Sequence, residues 1–311
     1  MDPKDRSFQI FFALTIMKYA KGISLFIITL LISIVLSNIF LLYNYTISPA
    51  FFCIVIGLLV GNLVTFSKHT NQLISFILTN VLKVGIALLG IGLSIHELFK
   101  YGLGSVLLII INILLVFAIL MLLGVVTVFG LIAVVAYPYM AHYMLNGNDI
   151  NAGIFLGAAI HDTAQVSAAG LIYQETFSSP VALEASMTTK LLRNSFLIIL
   201  IPLLTYFYDR KKTKNKSSIV KFFPFFVLGF VSLSLARTMG DIFMINTNYH
   251  ANWENLIMMI KIASKYIILI SMVALGLQIK ISSFKKIGLK PLLVGFVAAI
   301  SVGISSVIYL S

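Results

Sequence analysis

Charge is scarce in this chain. Only 10% of its 311 residues are charged and just 10 are acidic, where a soluble domain carries about 25% charged residues. A water-facing surface of ordinary size cannot be built from so few. There is one cysteine, Cys53, in the middle of an apolar run. A disulfide framework and a thiolate metal cluster are both excluded. Five histidines are present, but His69, His142 and His250 have no ligand spacing. No Walker loop, HExxH, GxSxG or kinase signature occurs, so ATP-driven pumping and hydrolysis in the membrane find no support. No enzyme activity, cofactor or metal is expected.

What the chain has instead is apolar length. Hydrophobic residues make up 60% and mean hydropathy is +1.05. The apolar runs are continuous and about 20 residues long, which fits membrane helices and excludes the alternating strands of a β-barrel. The expected fold is an all-α polytopic membrane protein of about ten transmembrane helices, one integral domain over 1–311. The candidate spans are 23–42, 48–66, 72–95, 103–123, 125–145, 152–174, 182–208, 219–237, 256–279 and 291–309. Residues 1–22 lack a small-residue cleavage site, so 23–42 reads as a first helix and not as a removed signal peptide. Tyr43, Tyr45, Tyr206, Tyr208, Tyr249 and Trp253 fall near span ends, as an aromatic belt would.

The net charge of +12 does not point to nucleic acid, because the basic residues sit in short loops. They form three groups: Lys4 to Lys21, Arg210 to Lys216, and Lys280 to Lys290. That is the pattern of a cytoplasmic membrane face. Ten alternating passes cannot place all three groups on one side. With 209–218 and 280–290 inside, alternation puts 174–185 outside, 146–151 inside and the N-terminus outside, against Lys4–Lys21 and Lys68. One additional pass between 123 and 131 would repair the count, yet the chain there runs GVVTVFG, almost without a loop.

An internal repeat is visible. Residues 87–108 and 271–293 share Gly-Leu-x-Ile, then Phe-Lys, then Gly-Leu. Residues 1–123 read as an incomplete first repeat and 124–311 as the remainder, with the second. Inverted repeats of this kind underlie secondary transporters, with the substrate where the repeats meet.

The polar residues that carry chemistry cluster in 148–194. Gly153 and Gly157 have the small-residue spacing of membrane helix contacts. Asp162-x-x-Gln165 has capping-box spacing, which predicts a helix broken near 158–163 and a second half-helix starting at Asp162 or Thr163. The positive end of that half-helix is a ready anion site. The alternative is a continuous helix in which His161 and Asp162 bond each other or a neighbouring carbonyl. Lys190 and Arg193 are three apart and share a face, far from the span ends. They suit an oxyanion, or else a buried salt bridge with Glu184, Asp162 or Glu175. Lys83 is a further deep cation, and Lys261 and Lys265 are close enough to an end to snorkel. The site residues expected are Lys190, Arg193, Thr163, Gln165 and Gly157 for substrate, His161 and Asp162 for proton coupling, and Lys83 in addition.

The run GAAIHDTAQVSAAG followed by KLLRN resembles the YeiH-like bacterial membrane proteins, a family labelled as sulfate exporters. Their motif reads approximately G-x-x-x-H-E-x-A-Q-V-x-A-A-G, then K-x-x-R. Asp162 stands here where they carry Glu, and Lys83 and Gly92 stand where they often carry basic residues. The resemblance implies a multi-pass protein of the bacterial inner membrane. It further implies a secondary transporter of a small anion such as sulfate or a sulfonate, folded like the sodium/proton antiporter and bile-acid transporter class with two crossing broken helices. Family members also carry a stretch of the type G-A-G-x-S-I-C-G-A-S-A after the span like 103–123, and it is absent here. That absence raises a second expectation, a transport-inactive member with a binding, regulatory or vestigial role. The partners expected are the small anion and the lipid bilayer, and no nucleic acid; a homo-oligomer is compatible with the sequence.

Overall fold

The computed structural model describes residues 3–120, 126–208, 225–244, 249–282 and 289–310, and all of its elements are helices. In chain order they are α1 (Pro3–Leu42), α2 (Pro49–Leu63), α3 (Lys68–Phe76), α4 (Leu82–Leu89), α5 (Ile95–Leu120), α6 (Val126–Met144), α7 (Asp149–Ala159), α8 (Thr163–Thr176), α9 (Ala182–Tyr208), α10 (Phe226–Met244), α11 (His250–Gln278) and α12 (Leu289–Leu310). A π-helical turn, Ile77–Val81, joins α3 to α4, and a 3-10 turn, Gly90–Gly92, ends that rod. Among the described residues, five helices are long and apolar enough to cross a membrane: Tyr19–Leu42, Lys68–Gly92, Ile95–Ile113, Phe226–Met244 and His250–Gln278. Their outward faces carry bare Ile, Leu, Val and Phe, a surface that lipid tolerates and water does not. The protein is an α-helical membrane protein.

Several boundaries differ from the sequence expectation, among them the starts at Pro3 and His250, and two have a local cause. The helix placed at 103–123 begins at Ile95. Ser94 and Glu97 explain it: Glu97 Oε2 accepts from the Ser94 amide at 2.8 Å, and Ser94 Oγ accepts from the Glu97 amide at 3.3 Å. That reciprocal cap lets the helix start a full two turns early. The helix placed at 219–237 is described from Phe226 and runs on to Met244. A polar clasp permits the extension, with Arg237 Nε 2.7 Å from Asp241 Oδ2 and Trp253 Nε1 donating to Asp241 Oδ1 at 2.9 Å. The basic runs 209–218 and 285–286 lie outside the described residues.

The helices sort into two groups by packing. In the first, α11 is the spine, with α1, α2, α3 and α4 against it and α10 along α4. In the second, α9 is the spine for α5, α7 and α8, while α6 and α12 close the other side of α7. Small residues set the tightest contact of the first group. A Cβ on Gly57 would lie 2.8 Å from Val273 O, one on Gly61 2.6 Å from Leu277 O, and one on Gly276 2.5 Å from Ile54 O. Hydrocarbon offers no hydrophobic drive between helices, so such backbone approach supplies the attraction through dispersion.

Chain direction follows from the paired residues. Gly85 sits against Ile267 and Ile268, and Gly92 against Lys261, so α4 and α11 are antiparallel. Gly90 lies against Phe230 and Leu93 O accepts from Ser234 Oγ at 2.9 Å, so α10 runs with α4. One face of the bundle therefore holds Lys68 and Lys280, whose Nζ donates to Gly61 O. The opposite face holds Ile95, Asp241 and Trp253.

Candidate functional site

The polar segment 148–194 forms a helical hairpin and the spine it leans on. α6 ends in a left-handed turn at Asn146 (φ 53°) and Gly147 (φ 69°), with the Gly147 amide bonded to His142 O at 2.8 Å. Asn148 then caps α7 by accepting from the Asn151 amide at 3.0 Å. α7 runs parallel to α9, with Gly153 against Ala182 and Ala185, and Gly157 against Ser186 and Thr189. The helix stops at Ala159, because Ile160 and Asp162 are extended (ψ 132° and 136°). Asp162 Oδ1 then accepts from the Gln165 amide at 3.1 Å and starts α8 at Thr163.

From there the chain turns back. Thr163 Oγ1 is 3.4 Å from Asn194 Nδ2, deep along α9, while Gly170 lies against Leu183 and Ser186 near its start. Tyr173 donates to Asp149 Oδ1 at 3.2 Å and lies 3.2 Å from His142 Nδ1, so the end of α8 returns to the start of α7. Ser178 (φ 53°) makes the turn into α9 on that same face. The break expected near 158–163 is present. The segment 152–174, however, does not cross as a span; it enters and leaves on one side. Small residues let two thin half-helices share one groove of α9, so the pair folds back instead of stacking end to end.

This geometry predicts a labelling result. In a Cys53→Ala background, single cysteines at Asn146→Cys and Pro180→Cys will both react with an impermeant thiol reagent added to one and the same side. Reaction from opposite sides would show that the segment crosses.

The hairpin tip gathers the expected site residues, in an arrangement the sequence did not indicate. Lys190 and Arg193 are 1% and 3% exposed. Neither pairs with a carboxylate. Lys190 Nζ donates to Ile160 O at 2.7 Å and to His161 O, and Arg193 Nη1 donates to Ala158 O at 3.0 Å. The two cations thus sit on the carbonyl end of α7, its negative pole. Ala158 is in the last turn of α7, Ile160 is its C-cap and His161 lies in the break, so these carbonyls have no onward turn to bond and side-chain donors meet them. Asp162 sits on the positive pole of α8. Gln165 is buried at the tip under α6, where a Cβ on Gly130 would meet its side chain. His161 Nε2 is buried without a hydrogen-bond partner.

Of the salt-bridge alternatives named for these cations, Asp162 caps α8 and the other two are taken up elsewhere. Glu184 lies 3.6 Å from Lys261 Nζ and Glu175 2.8 Å from Lys265 Nζ. Sequence spacing could not have shown these pairs, since each joins helices far apart in the chain. Lys83 is exposed on α4, which packs on α10 and α11, and the hairpin does not use it. Among the described residues no group of three or more His, Cys, Asp and Glu could hold a metal ion.

A buried re-entrant hairpin with cations at its tip, set in an apolar helical bundle, defines an integral membrane protein built around a polar interior site. The family model described as "Conserved hypothetical protein 698" matches residues 21–125 and 122–295, and the chain belongs to this family. The UPF0324 membrane protein of Clostridium tetani is 25% identical over 352 aligned positions, covering 94% of this chain and 97% of that relative. The UPF0324 membrane protein FN0533 of Fusobacterium nucleatum is 28% identical over 188 residues, 57% of this chain and 54% of the relative. The UPF0324 inner membrane protein YeiH of Escherichia coli K12 is 28% identical over 167 residues, 52% of this chain and 41% of the relative. In the last two cases the match spans about half the relative's length or less. No solved structure matches the chain. The two matched segments meet at 122–125, and the Clostridium tetani alignment is longer than the whole chain, so that relative carries residues with no counterpart here.

Proposed function

We propose that the protein is a secondary transporter of a small anion, sulfate or a related sulfur oxyanion or sulfonate, in the bacterial inner membrane. One observation carries the reading. Two buried cations, Lys190 and Arg193, stand at the hairpin tip with no carboxylate in ion-pair contact among the described residues. Isolated buried charge costs several kcal/mol in a membrane, about 2.5–3.5 at the helix centre on insertion scales. An anion docking there removes that imbalance. Thr163, Gln165 and Gly157 shape the tip beside it, and His161 with Asp162 are the groups offered for proton coupling.

An inverted repeat belongs to the same reading: α4 and α11, which carry the start of the two sequence-related segments, pack antiparallel to one another. In the proposed orientation the face of Lys68 and Lys280 is cytoplasmic. Nine passes then cross (α1, α2, α3 with α4, α5, α6, α9, α10, α11 and α12) and the hairpin enters from outside. All three basic groups fall on the cytoplasmic side, and the count needs no additional pass.

The test is anion counterflow in proteoliposomes with sulfate, sulfite and small sulfonates, using Lys190→Ala/Arg193→Ala as control. Flux that vanishes in the control is expected. Equal flux in both would sink the assignment of these cations.

A second reading, a transport-inactive member with a binding or regulatory role, has one observation in its favour: the family match comes in two segments that overlap at 122–125, and one relative aligns over more positions than this chain has residues. Absence of counterflow for every anion tried, from folded protein, would select it.

A further inference from the structure

On the face where α9 begins, the two helix groups meet through two lysine–glutamate pairs one turn apart on α11. The pairs differ in kind. Glu175, at the end of α8, has a close partner at each oxygen: Oε1 is ion-paired with Lys265 Nζ at 2.8 Å, outside hydrogen-bond geometry, and Oε2 accepts from Ser48 Oγ. Glu184, in the first turn of α9, is 4% exposed, and its Oε2 is buried with no hydrogen-bond partner. Its Oε1 is 3.6 Å from Lys261 Nζ, beyond good hydrogen-bond range. Lys261 is itself 42% exposed, and its long stem can carry the ammonium toward the interface. The space for this carboxylate exists because residue 92 is glycine; a Cβ there would lie 2.7 Å from Glu184 Oε1 and 3.0 Å from Lys261 Cε. The charged and titratable groups acting on Glu184 are Lys261 of α11 and Glu97 and Tyr101 of α5. Lys190 and Arg193, further along α9, are turned to the α7 carbonyls.

We propose that Glu184 is a proton-binding site at the seam between the two helix groups, and that a proton on its Oε2 loosens the tie to Lys261. A buried carboxylate oxygen without a partner is costly, and the half-exposed lysine holds it by Coulomb attraction alone. The step is a simple transfer. A proton from water adds to Oε2, the carboxylate becomes a neutral acid, and Lys261 keeps its ammonium charge. No other bond forms or breaks. Glu175, with a closer lysine and a hydroxyl donor on its other oxygen, stays tied. The role of this site in coupling rests on the transport reading; the proton binding does not.

The test is pH-difference infrared spectroscopy of the full chain in lipid vesicles, alongside Glu184→Gln, Glu175→Gln and Lys261→Met. A carboxylic-acid carbonyl band is expected in the wild type, kept in Glu175→Gln and lost in Glu184→Gln. Lys261→Met will displace its midpoint on the pH axis. A band that survives Glu184→Gln, no band over the folded pH range, or a midpoint unmoved by Lys261→Met would overturn the proposal. Should Glu184→Gln not fold, Lys261→Met decides, because it changes a half-exposed side chain. A wild type that shows the band but no anion counterflow supports the proton site and removes the transport reading. Counterflow without the band does the reverse.

Discussion

Lys190→Met is expected to abolish anion flux and to lower the unfolding free energy by about 3 kcal/mol. The variant leaves the carbonyls of Ile160 and His161 without their shared donor, and a buried acceptor left unmade costs about 1–3 kcal/mol each. Relief from burying an ammonium offsets part of this, because methionine packs well in the same volume. Denaturation in detergent, with hydrogen exchange at residues 158–165, measures both consequences. Protection at the tip equal to wild type would show that Lys190 does not hold the break open. Arg193→Ala is expected to act in the same direction through the Ala158 carbonyl. The cations thereby have two duties, since they satisfy the end of α7 and leave the tip with excess positive charge. A variant that loses flux but keeps tip protection would separate them.

Gly157→Val is expected to eliminate folded protein. A Cβ at this position would lie 2.3 Å from Ser186 O and 2.7 Å from the Thr189 Cβ, both on the spine of the second helix group. Overpacking a core costs about 1–3 kcal/mol where side chains can yield; here the opposing atom is backbone, and α7 must separate from α9. Gly102→Ala serves as the control, because its Cβ would find nothing nearer than Leu192 at 3.7 Å. It should be neutral or slightly stabilising, alanine being about 1 kcal/mol better than glycine in a helix. Yield and thermal stability of the two variants read the contrast. Normal folding of Gly157→Val would mean that α7 does not lie on α9 as described.

The charge conflict in the sequence has a structural answer. It came from counting 152–174 as a crossing helix. Asn146 and Ser178 turn the chain on the same face, so that segment contributes no change of side. In the proposed orientation Lys4–Lys21 and Lys68 join the other basic groups without any additional pass. The small-residue stretch that the resemblance leads one to expect after 103–123 is a separate matter: an insertion that enters and leaves on one side would leave the orientation of every helix unchanged.

Several features were legible in the residues themselves. Continuous apolar runs specify helices in a membrane because each backbone polar group must bond within its own segment. Asp162 three residues before Gln165 specified a helix start in mid-segment, and Gly153 with Gly157 specified a close contact. Ser94 and Glu97 carried an equally local signal that sets the start of α5. These are short-range effects, complete within one turn of chain. The partners of Lys190, Arg193, Glu175 and Glu184 were not legible. Each is chosen by which helices lie side by side, and an apolar sequence facing lipid on one side and protein on the other leaves that choice open. Only the packed bundle decided that the broken segment folds back, that its cations meet carbonyls and not carboxylates, and that Glu184 keeps one oxygen unpaired. Residue types and local spacing determined where polar groups interrupt the membrane helices, whereas tertiary contact determined what each of them touches.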